Sequence, residues 1–197
     1  MGRPREFKIE KAVKAATALF WQKGYEGTSL ADLTRAIGIC APSFYFAFGS
    51  KENLFRKVIE RYNAKCATFI EAAMLESTAQ AVVQRFLVGY ADLLTDSTHA
   101  PGCLAMNSAF SCSENGAIRD WLASQREGLR QRLIDRFAQA RENGEVTAND
   151  DCDSLARFVV TTAWGLAIEA QSGASREELH RTIDLALTST ASVLVKG

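Results

Sequence analysis

The chain has 197 residues, 47% of them hydrophobic and 23% charged, which is typical of a globular protein with a sizeable core. Lys and Arg balance Asp and Glu at 23 each, which excludes a strongly basic or acidic protein, and no apolar run reaches the roughly 20 residues that a membrane helix needs. The N-terminal segment MGRPREFKIEK is basic without an apolar core, so it predicts no secretory signal and a cytoplasmic location.

The first four predicted helices follow one another closely. Apolar residues recur at helical spacing from Ile9 to Phe20, and Gly24 ends this first helix. Ser29 and Asp32 form a capping box that opens the second helix, which Gly38 ends. A short third helix is predicted over 41–47, and Ser50 then caps a long fourth helix.

Five more helices are predicted after the fourth, with no strand among them. The apolar stripes place them at about 78–95, 103–112, 117–142, 153–172 and 176–195, the last opened by a second capping box from Ser175 to Glu178. The fold class is therefore all-α, with about nine helices.

The cysteines and the charge distribution limit the kinds of site. The cysteines are odd in number, widely spaced and without a CxxC pair, which favours reduced thiols and predicts no metal site and no cofactor; they are Cys40, Cys66, Cys103, Cys112 and Cys152. Residues 1–60 hold ten Lys or Arg and six Asp or Glu. This surplus indicates an anionic partner near the N-terminus, although a solvated surface also explains it.

Helices two and three have the spacing of a helix-turn-helix, in which the second helix enters the DNA major groove. The stretch TSLADLTRAIGICAPSFYFAFGSKENLF resembles the DNA-binding domain of TetR-type transcriptional regulators over about residues 7–62. The resemblance rests on the opening Thr28-Ser29-Leu30, the Gly38 turn, the small patch Ala41-Pro42-Ser43, the pair Phe44-Tyr45, and the segment from Phe48 to Leu54.

The resemblance implies a DNA-binding domain over 1–50, a ligand-binding and dimerisation domain over 51–197, and the DNA contacts. Phe44 and Phe48 are expected to anchor the third helix in its own domain. Arg3 and Arg5 form either a basic arm that reaches DNA or a disordered tail. The other expected DNA-contacting residues are Thr28, Ser29, Ala41, Pro42, Ser43, Tyr45, Phe46, Ser50 and Lys51.

The recognition helix departs from the family pattern at three positions. Cys40 stands where a serine or threonine often caps the helix, so a weaker cap is expected. Phe46 and Ala47 stand where polar residues are common. Base readout by hydrogen bonds is therefore expected to be sparse, with a contribution from DNA shape.

The resemblance also implies a homodimer that is released from a double-stranded operator when a small molecule binds the C-terminal domain. The last two helices are expected to form the dimer face, with burial inside one chain as the alternative. The residues assigned to this face are Leu155, Val159, Thr162, Leu166, Ile183, Leu187 and Leu194.

The segment GCLAMNSAFSC is the candidate sensor. Cys103, Met106, Asn107 and Phe110 share one predicted helix face, which either lines a small-molecule pocket or belongs to an ordinary core. The Gly-Cys pair resembles a TetR subgroup with thiol-based sensors, whereas an inert buried thiol is the simpler interpretation. Trp164 is assigned to the pocket or to the dimer core.

Three functions are compared. A ligand-responsive repressor explains the pattern from Thr28 to Leu54. A thiol-dependent enzyme lacks an evident base for Cys103 or a phosphate loop, and only two histidines occur. An all-α adaptor without DNA binding leaves that pattern unexplained. The sequence therefore favours a non-enzymatic repressor.

Overall fold

The computed structural model describes residues 3–111, 116–147, 151–191 and 194, with the side chains of residues 3–8, 110 and 111 outside that description. These ranges contain nine α-helices and confirm the all-α prediction: α1 (Arg3–Lys23), α2 (Leu30–Ile37), α3 (Ala41–Phe48), α4 (Lys51–Met74), α5 (Ala79–Leu94), α6 (Leu104–Ser111), α7 (Gly116–Glu142), α8 (Cys152–Gln171) and α9 (Arg176–Thr190).

The last predicted helix is too long by about one turn. Helix α9 ends at Thr190, and Leu194 instead forms an isolated antiparallel bridge with Val146, which follows α7. Leu194 is 2% exposed there, so its burial is supplied by its own chain. Within the ranges described above, no helix combines the length and apolar character needed to cross a bilayer.

The N-terminal helices pack as a small bundle, in which α1 contacts both α2 and α4. Phe20, Tyr25 and Phe55 form its aromatic centre, with ring centroids 4.9 to 6.2 Å apart. One continuous core of buried side chains runs from this bundle into the C-terminal helices. The division into domains 1–50 and 51–197 stays a prediction; its boundary falls at the N-cap of α4.

Helix α5 lies at the centre of the C-terminal part, where it packs against α4, α8 and α9. Its approach to α4 is close at Gly89, because a Cβ atom there would lie 2.9 Å from the Cβ atom of Phe69. Such a distance is too short for a side chain, so glycine permits this crossing. Helix α8 is covered on two sides, by α5 and by α7 of the same chain.

Candidate DNA-binding helix and effector cavity

The turn between α2 and α3 is fixed by local bonds. The Ser29 hydroxyl accepts from the Asp32 N–H at 3.1 Å, and the Asp32 carboxylate accepts from the Ser29 N–H at 3.2 Å, which confirms the predicted capping box. Gly38 ends α2 in the left-handed conformation with φ 77°, as predicted from its position. These two ends set the direction in which α3 leaves the turn.

Helix α3 has one buried face and one exposed face. Phe44 and Phe48 are 0% and 5% exposed, with ring centroids 5.3 Å apart, and they attach the helix to the bundle as expected. Tyr45 and Phe46 point outward, at 52% and 84% exposed. The other exposed positions are small, namely Ala41, Pro42, Ser43 and Ala47. Since little side-chain bulk surrounds them, the backbone of α3 can approach a flat or grooved partner closely.

The start of α3 lacks a side-chain cap, as predicted from Cys40. The Cys40 Sγ lies 3.2 Å from the Ser43 Oγ instead, and this hydrogen bond lowers the pKa of the exposed Cys40 thiol. Ser43 is therefore engaged within the helix terminus while it remains at the exposed surface.

Helix α4 begins three residues after α3 ends, and the two helices contact each other. The Ser50 hydroxyl accepts from the Asn53 N–H at 3.0 Å, which confirms the predicted cap. Lys51 is half-buried, with its ammonium group 4.3 Å from the centre of the Tyr25 ring. This contact positions a positive charge at a helix N-terminus, where anions are stabilised.

Three of the expected DNA contacts are not found at the exposed surface of the described structure. Thr28 is 0% exposed, and its hydroxyl donates to the Gly24 carbonyl at 2.7 Å. Its expected role at DNA is therefore wrong, because the side chain closes the turn between α1 and α2 instead. The side chains of Arg3 and Arg5 lie outside the described ones, so their expected roles stay predictions.

A cavity of about 450 Å³ lies between α4, α5, α6, α7 and α8, inside the C-terminal part. Its walls are mainly apolar and aromatic; they include Ile59, Phe69, Ile70, Phe86, Leu122, Leu129, Val160 and Trp164. This volume lies within the range of roughly 300–1,000 Å³ for small-molecule pockets, and the apolar lining is the usual one. The cavity is therefore the candidate effector site.

Polar groups gather on one wall of the cavity, where the Tyr62 hydroxyl donates to the Cys103 Sγ at 3.1 Å. Burial is the main reason that the pKa of Tyr62 and of Tyr90 lies above the ordinary range, and burial raises the pKa of Cys66 to about 12. These three groups are neutral near pH 7. The wall therefore offers hydroxyl and thiol groups as neutral hydrogen-bonding partners.

Alkaline pH should destabilise the fold through this wall. The unfolded chain ionises Cys66 near its ordinary pKa of 9.0, whereas the folded chain keeps that proton to about pH 12. The folded state binds more protons in this window, so the free energy of unfolding should fall as pH rises, by up to about 1.4 kcal/mol per pH unit for each such group. Urea unfolding between about pH 9 and pH 11 measures this slope. The double variant Tyr62→Phe/Tyr90→Phe should show a shallower slope, and an unchanged slope would contradict this account.

The predicted sensor face is divided in the structure. Cys103 and Met106 line the cavity. Trp164, for which the sequence allowed either the pocket or the dimer core, lines the cavity too. The amide nitrogen of Asn107 lies 3.4 Å from the Trp21 carbonyl of α1, away from the cavity lining. The split lies within α6, where Met106 is directed to the cavity and its neighbour Asn107 to α1. The side chain of Phe110 lies outside the described ones.

Comparison with known proteins identifies the chain. Residues 12–58 match the model for bacterial regulatory proteins of the tetR family, and residues 79–186 match a tetracyclin repressor-like C-terminal domain. The chain is 36% identical over 182 residues to the HTH-type transcriptional repressor ComR of Escherichia coli K12, covering 90% of this chain and 86% of that protein. The chain belongs to the TetR family.

Two further likenesses span nearly the whole TetR-family chain. The HTH-type transcriptional repressor BdcR of Escherichia coli K12 is 27% identical over 194 residues, which cover 98% of this chain and 94% of BdcR. A solved structure of a cysteine mutant of the TetR family transcriptional regulator CifR, complexed with 26-base-pair operator DNA, superposes with a TM-score of 0.84. It is 32% identical and covers 90% of this chain and 94% of that one.

Most residues expected at the dimer face of this TetR-family chain are buried inside their own protomer. The predicted residues at 6% exposure or less are Leu155, Val159, Leu166, Ile183 and Leu194. Leu187 packs half-buried on the core, and the hydroxyl of the half-buried Thr162 donates to the Phe158 carbonyl at 2.9 Å. These residues are buried because α5 and α7 supply the two-sided cover that α8 needs, which matches the alternative of burial inside one chain.

The exposed faces of α8 and α9 carry a different apolar set. Phe158 and Ile168 on α8 are 40% and 49% exposed, and Leu185 on α9 is 71% exposed. Between the first two, Gly165 faces open space, since a Cβ atom there would have no neighbour within 4 Å. We call Phe158, Gly165, Ile168 and Leu185 the α8–α9 patch. The patch could have been found from the sequence, because its apolar residues lie outside the buried stripes of the two helices.

Tyr62, Tyr90 and Arg126 are cavity residues that the sequence reasoning missed. The tyrosines belong to apolar stripes on α4 and α5, and nothing local distinguishes a stripe that faces a cavity from one that faces core. Arg126 carried a signal, because it lies between Leu122 and Leu129 on the apolar stripe of α7. A charged residue within an apolar stripe is seldom fully buried in a core, so it indicates a partner, a cavity or solvent at that point.

Proposed function

We propose that this protein is a homodimeric transcriptional repressor that binds a palindromic double-stranded operator through α3 and is released when a small molecule occupies the cavity. The observation that carries the proposal is the outward face of α3, where small residues surround Tyr45 and Phe46 while Phe44 and Phe48 fix the helix from behind. The CifR cysteine mutant, whose structure was solved in complex with operator DNA, has the same fold.

The proposed DNA contacts divide by type. Ala41, Pro42 and Phe46 face base edges in the major groove, where apolar groups recognise the thymine methyl. The sugar-phosphate backbone is held by Tyr45 on the outer face of α3 and by polar and charged groups near helix N-termini, namely Ser29, Ser43, Ser50 and Lys51. Thr28 is left out because it is buried.

The α8–α9 patch is the proposed dimer interface. Two copies joined there about a two-fold axis would form a four-helix bundle, and Gly165 allows close approach of the two α8 helices. A dimer presents two α3 helices to successive major grooves only at one spacing, roughly 34 Å. An effector that favours another spacing lowers DNA affinity by population shift.

We propose a non-enzymatic, cytoplasmic protein, since its partner is chromosomal DNA. Cys103 supports this view, because its thiol contacts the Tyr62 hydroxyl rather than a histidine base among the described residues. The described residues also contain no group of three or more side chains suited to hold a metal ion. No observation favours the adaptor function.

The repressor proposal is tested by selecting bound fragments from the source genome and titrating the selected operator by fluorescence anisotropy at several salt concentrations. Tyr45→Phe should weaken binding by about tenfold, since one hydrogen bond to a charged phosphate is lost. Lys51→Gln should reduce the slope of log affinity against log salt by about one. Arg85→Gln removes the same charge from the exposed side of α5, where Arg85 pairs with Glu76, and should change neither quantity. Failure to select any fragment above non-specific affinity would refute the proposal.

A further inference from the structure

Arg126 is the basic side chain that faces the cavity from the middle of α7. It is half-buried and lines the cavity with Leu122 and Leu129, one turn before it and one turn after it. Its guanidinium carbon lies 6.0 Å from the centre of the Trp164 ring on α8. A cation is thus held at an aromatic wall of a mainly apolar space.

The neighbouring arginines of α7 have carboxylate partners. Arg132, which also lines the cavity, donates to Glu71 at 2.9 Å, and Arg130 pairs with Glu127 and Asp153. Arg126 makes no ion pair and no hydrogen bond with any residue in the described part of the chain. Among the described residues, the cavity therefore holds one uncompensated positive charge, since Glu71 already neutralises Arg132.

Burial withdraws water from this guanidinium, which lowers the pKa of Arg126, while the nearby Cys103 acts in the opposite sense. The group stays charged at neutral pH, because arginine is not deprotonated in proteins. A charge that has lost part of its hydration and has no carboxylate partner among the described residues gains most from a ligand anion. The planar fork of arginine fits a carboxylate with two parallel bonds.

We propose that the effector is an apolar molecule bearing a single carboxylate, whose carboxylate binds Arg126 and whose body lies against the aromatic walls of the cavity. This inference rests on the proposed function, because it specifies the ligand of the same site. One uncompensated charge matches a monoanion, not a dianionic phosphate. Phe69, Phe86 and Trp164 provide the apolar surface, and the Tyr62 hydroxyl stands on the polar wall beside Cys103.

The test compares acids with their neutral amides of the same shape. Isothermal calorimetry on the full-length protein without DNA uses 4-phenylbutyrate against 4-phenylbutanamide and octanoate against octanamide. We expect at least one acid to bind the wild type about tenfold or more tightly than its amide, as one charge-assisted pair supplies. Arg126→Met should remove this preference and leave the affinity for the amide within about threefold.

Arg132→Met is the matched control, because it removes a cavity-lining arginine whose charge Glu71 already compensates. It should retain the preference for the acid. Amide binding by Arg126→Met shows that the cavity is still formed in that variant. Three outcomes would overturn the proposal: no acid binds the wild type, acid and amide bind equally, or the preference survives Arg126→Met.

In this design, a failure of the ligand proposal can be distinguished from a failure of the repressor proposal. Calorimetry without DNA reports on the ligand class alone, whereas the operator titration reports on DNA binding alone. Adding the bound acid to the operator complex then joins them, and the concentration that releases half the DNA should rise about tenfold or more in Arg126→Met and stay unchanged in Arg132→Met.

Discussion

Leu185→Glu is expected to convert the dimer into a monomer and to weaken operator binding by about 100-fold or more, since a monomer loses the linked second half-site. Leu185 is 71% exposed in the protomer, so a carboxylate there costs the monomer little. In the proposed dimer the same carboxylate would be buried against Phe158 and Ile168 of two α8 helices without a partner, which is strongly unfavourable.

Sedimentation equilibrium measures the change in mass, and anisotropy with the selected operator measures the change in affinity. Leu75→Glu is the matched control, because Leu75 is 85% exposed and lies at the end of α4 outside the α8–α9 patch. That variant should remain a dimer and bind DNA normally. A dimeric Leu185→Glu protein, or a monomeric Leu75→Glu protein, would place the interface elsewhere.

Phe44→Ala is expected to destabilise the fold by about 3–5 kcal/mol, the usual cost of removing a fully buried phenylalanine. The Phe44 ring is 0% exposed and contacts Phe48, so its loss leaves a cavity beneath the recognition helix. Phe46→Ala, two residues further on the same helix, removes a ring that is 84% exposed. It should change the free energy of unfolding by less than about 0.5 kcal/mol.

Urea unfolding monitored by circular dichroism measures the difference in stability between the two variants. Operator binding then tests the DNA contact of Phe46. The Phe46→Ala protein should stay folded yet bind more weakly, because its ring contacts a thymine methyl in the proposed complex. Replacing that thymine by deoxyuridine should weaken the wild type and leave Phe46→Ala unaffected. Equal destabilisation by the two substitutions would show that α3 does not have the two faces described.

The DNA-binding part was predictable because its signals are local. Capping at Ser29 and Ser50 depends on side-chain oxygens within three residues of the groups they bind, and the turn at Gly38 depends on one backbone conformation. The inward position of Phe44 and Phe48 follows from their spacing of four. Thr28 was misplaced because its hydroxyl has a bonding partner in the preceding turn that the motif does not reveal.

The effector and dimer surfaces were harder to predict because they depend on which helices become neighbours. Periodicity showed that α8 needs cover on two sides, but not that α5 and α7 of the same chain provide it. Cys103 acquires Arg126 as a neighbour from a helix more than twenty residues away. The acidic partner of Arg132, and the lack of one for Arg126 in the part of the chain that the structure describes, likewise become visible only in three dimensions.

The contact between Gly89 and Phe69 has a mechanical consequence. The 2.9 Å between a hypothetical Cβ atom and Phe69 shows that α4 and α5 are in close contact at this crossing. We therefore expect α4 to move by tilting, with the crossing as the fulcrum. The 24-residue α4 extends from that point to Lys51, a lever arm of roughly 27 Å, so a tilt of about 5° would displace its DNA-side end by about 2 Å. The lining of the cavity includes Phe69 itself, so a ligand would press beside the fulcrum and the recognition helix would travel at the far end.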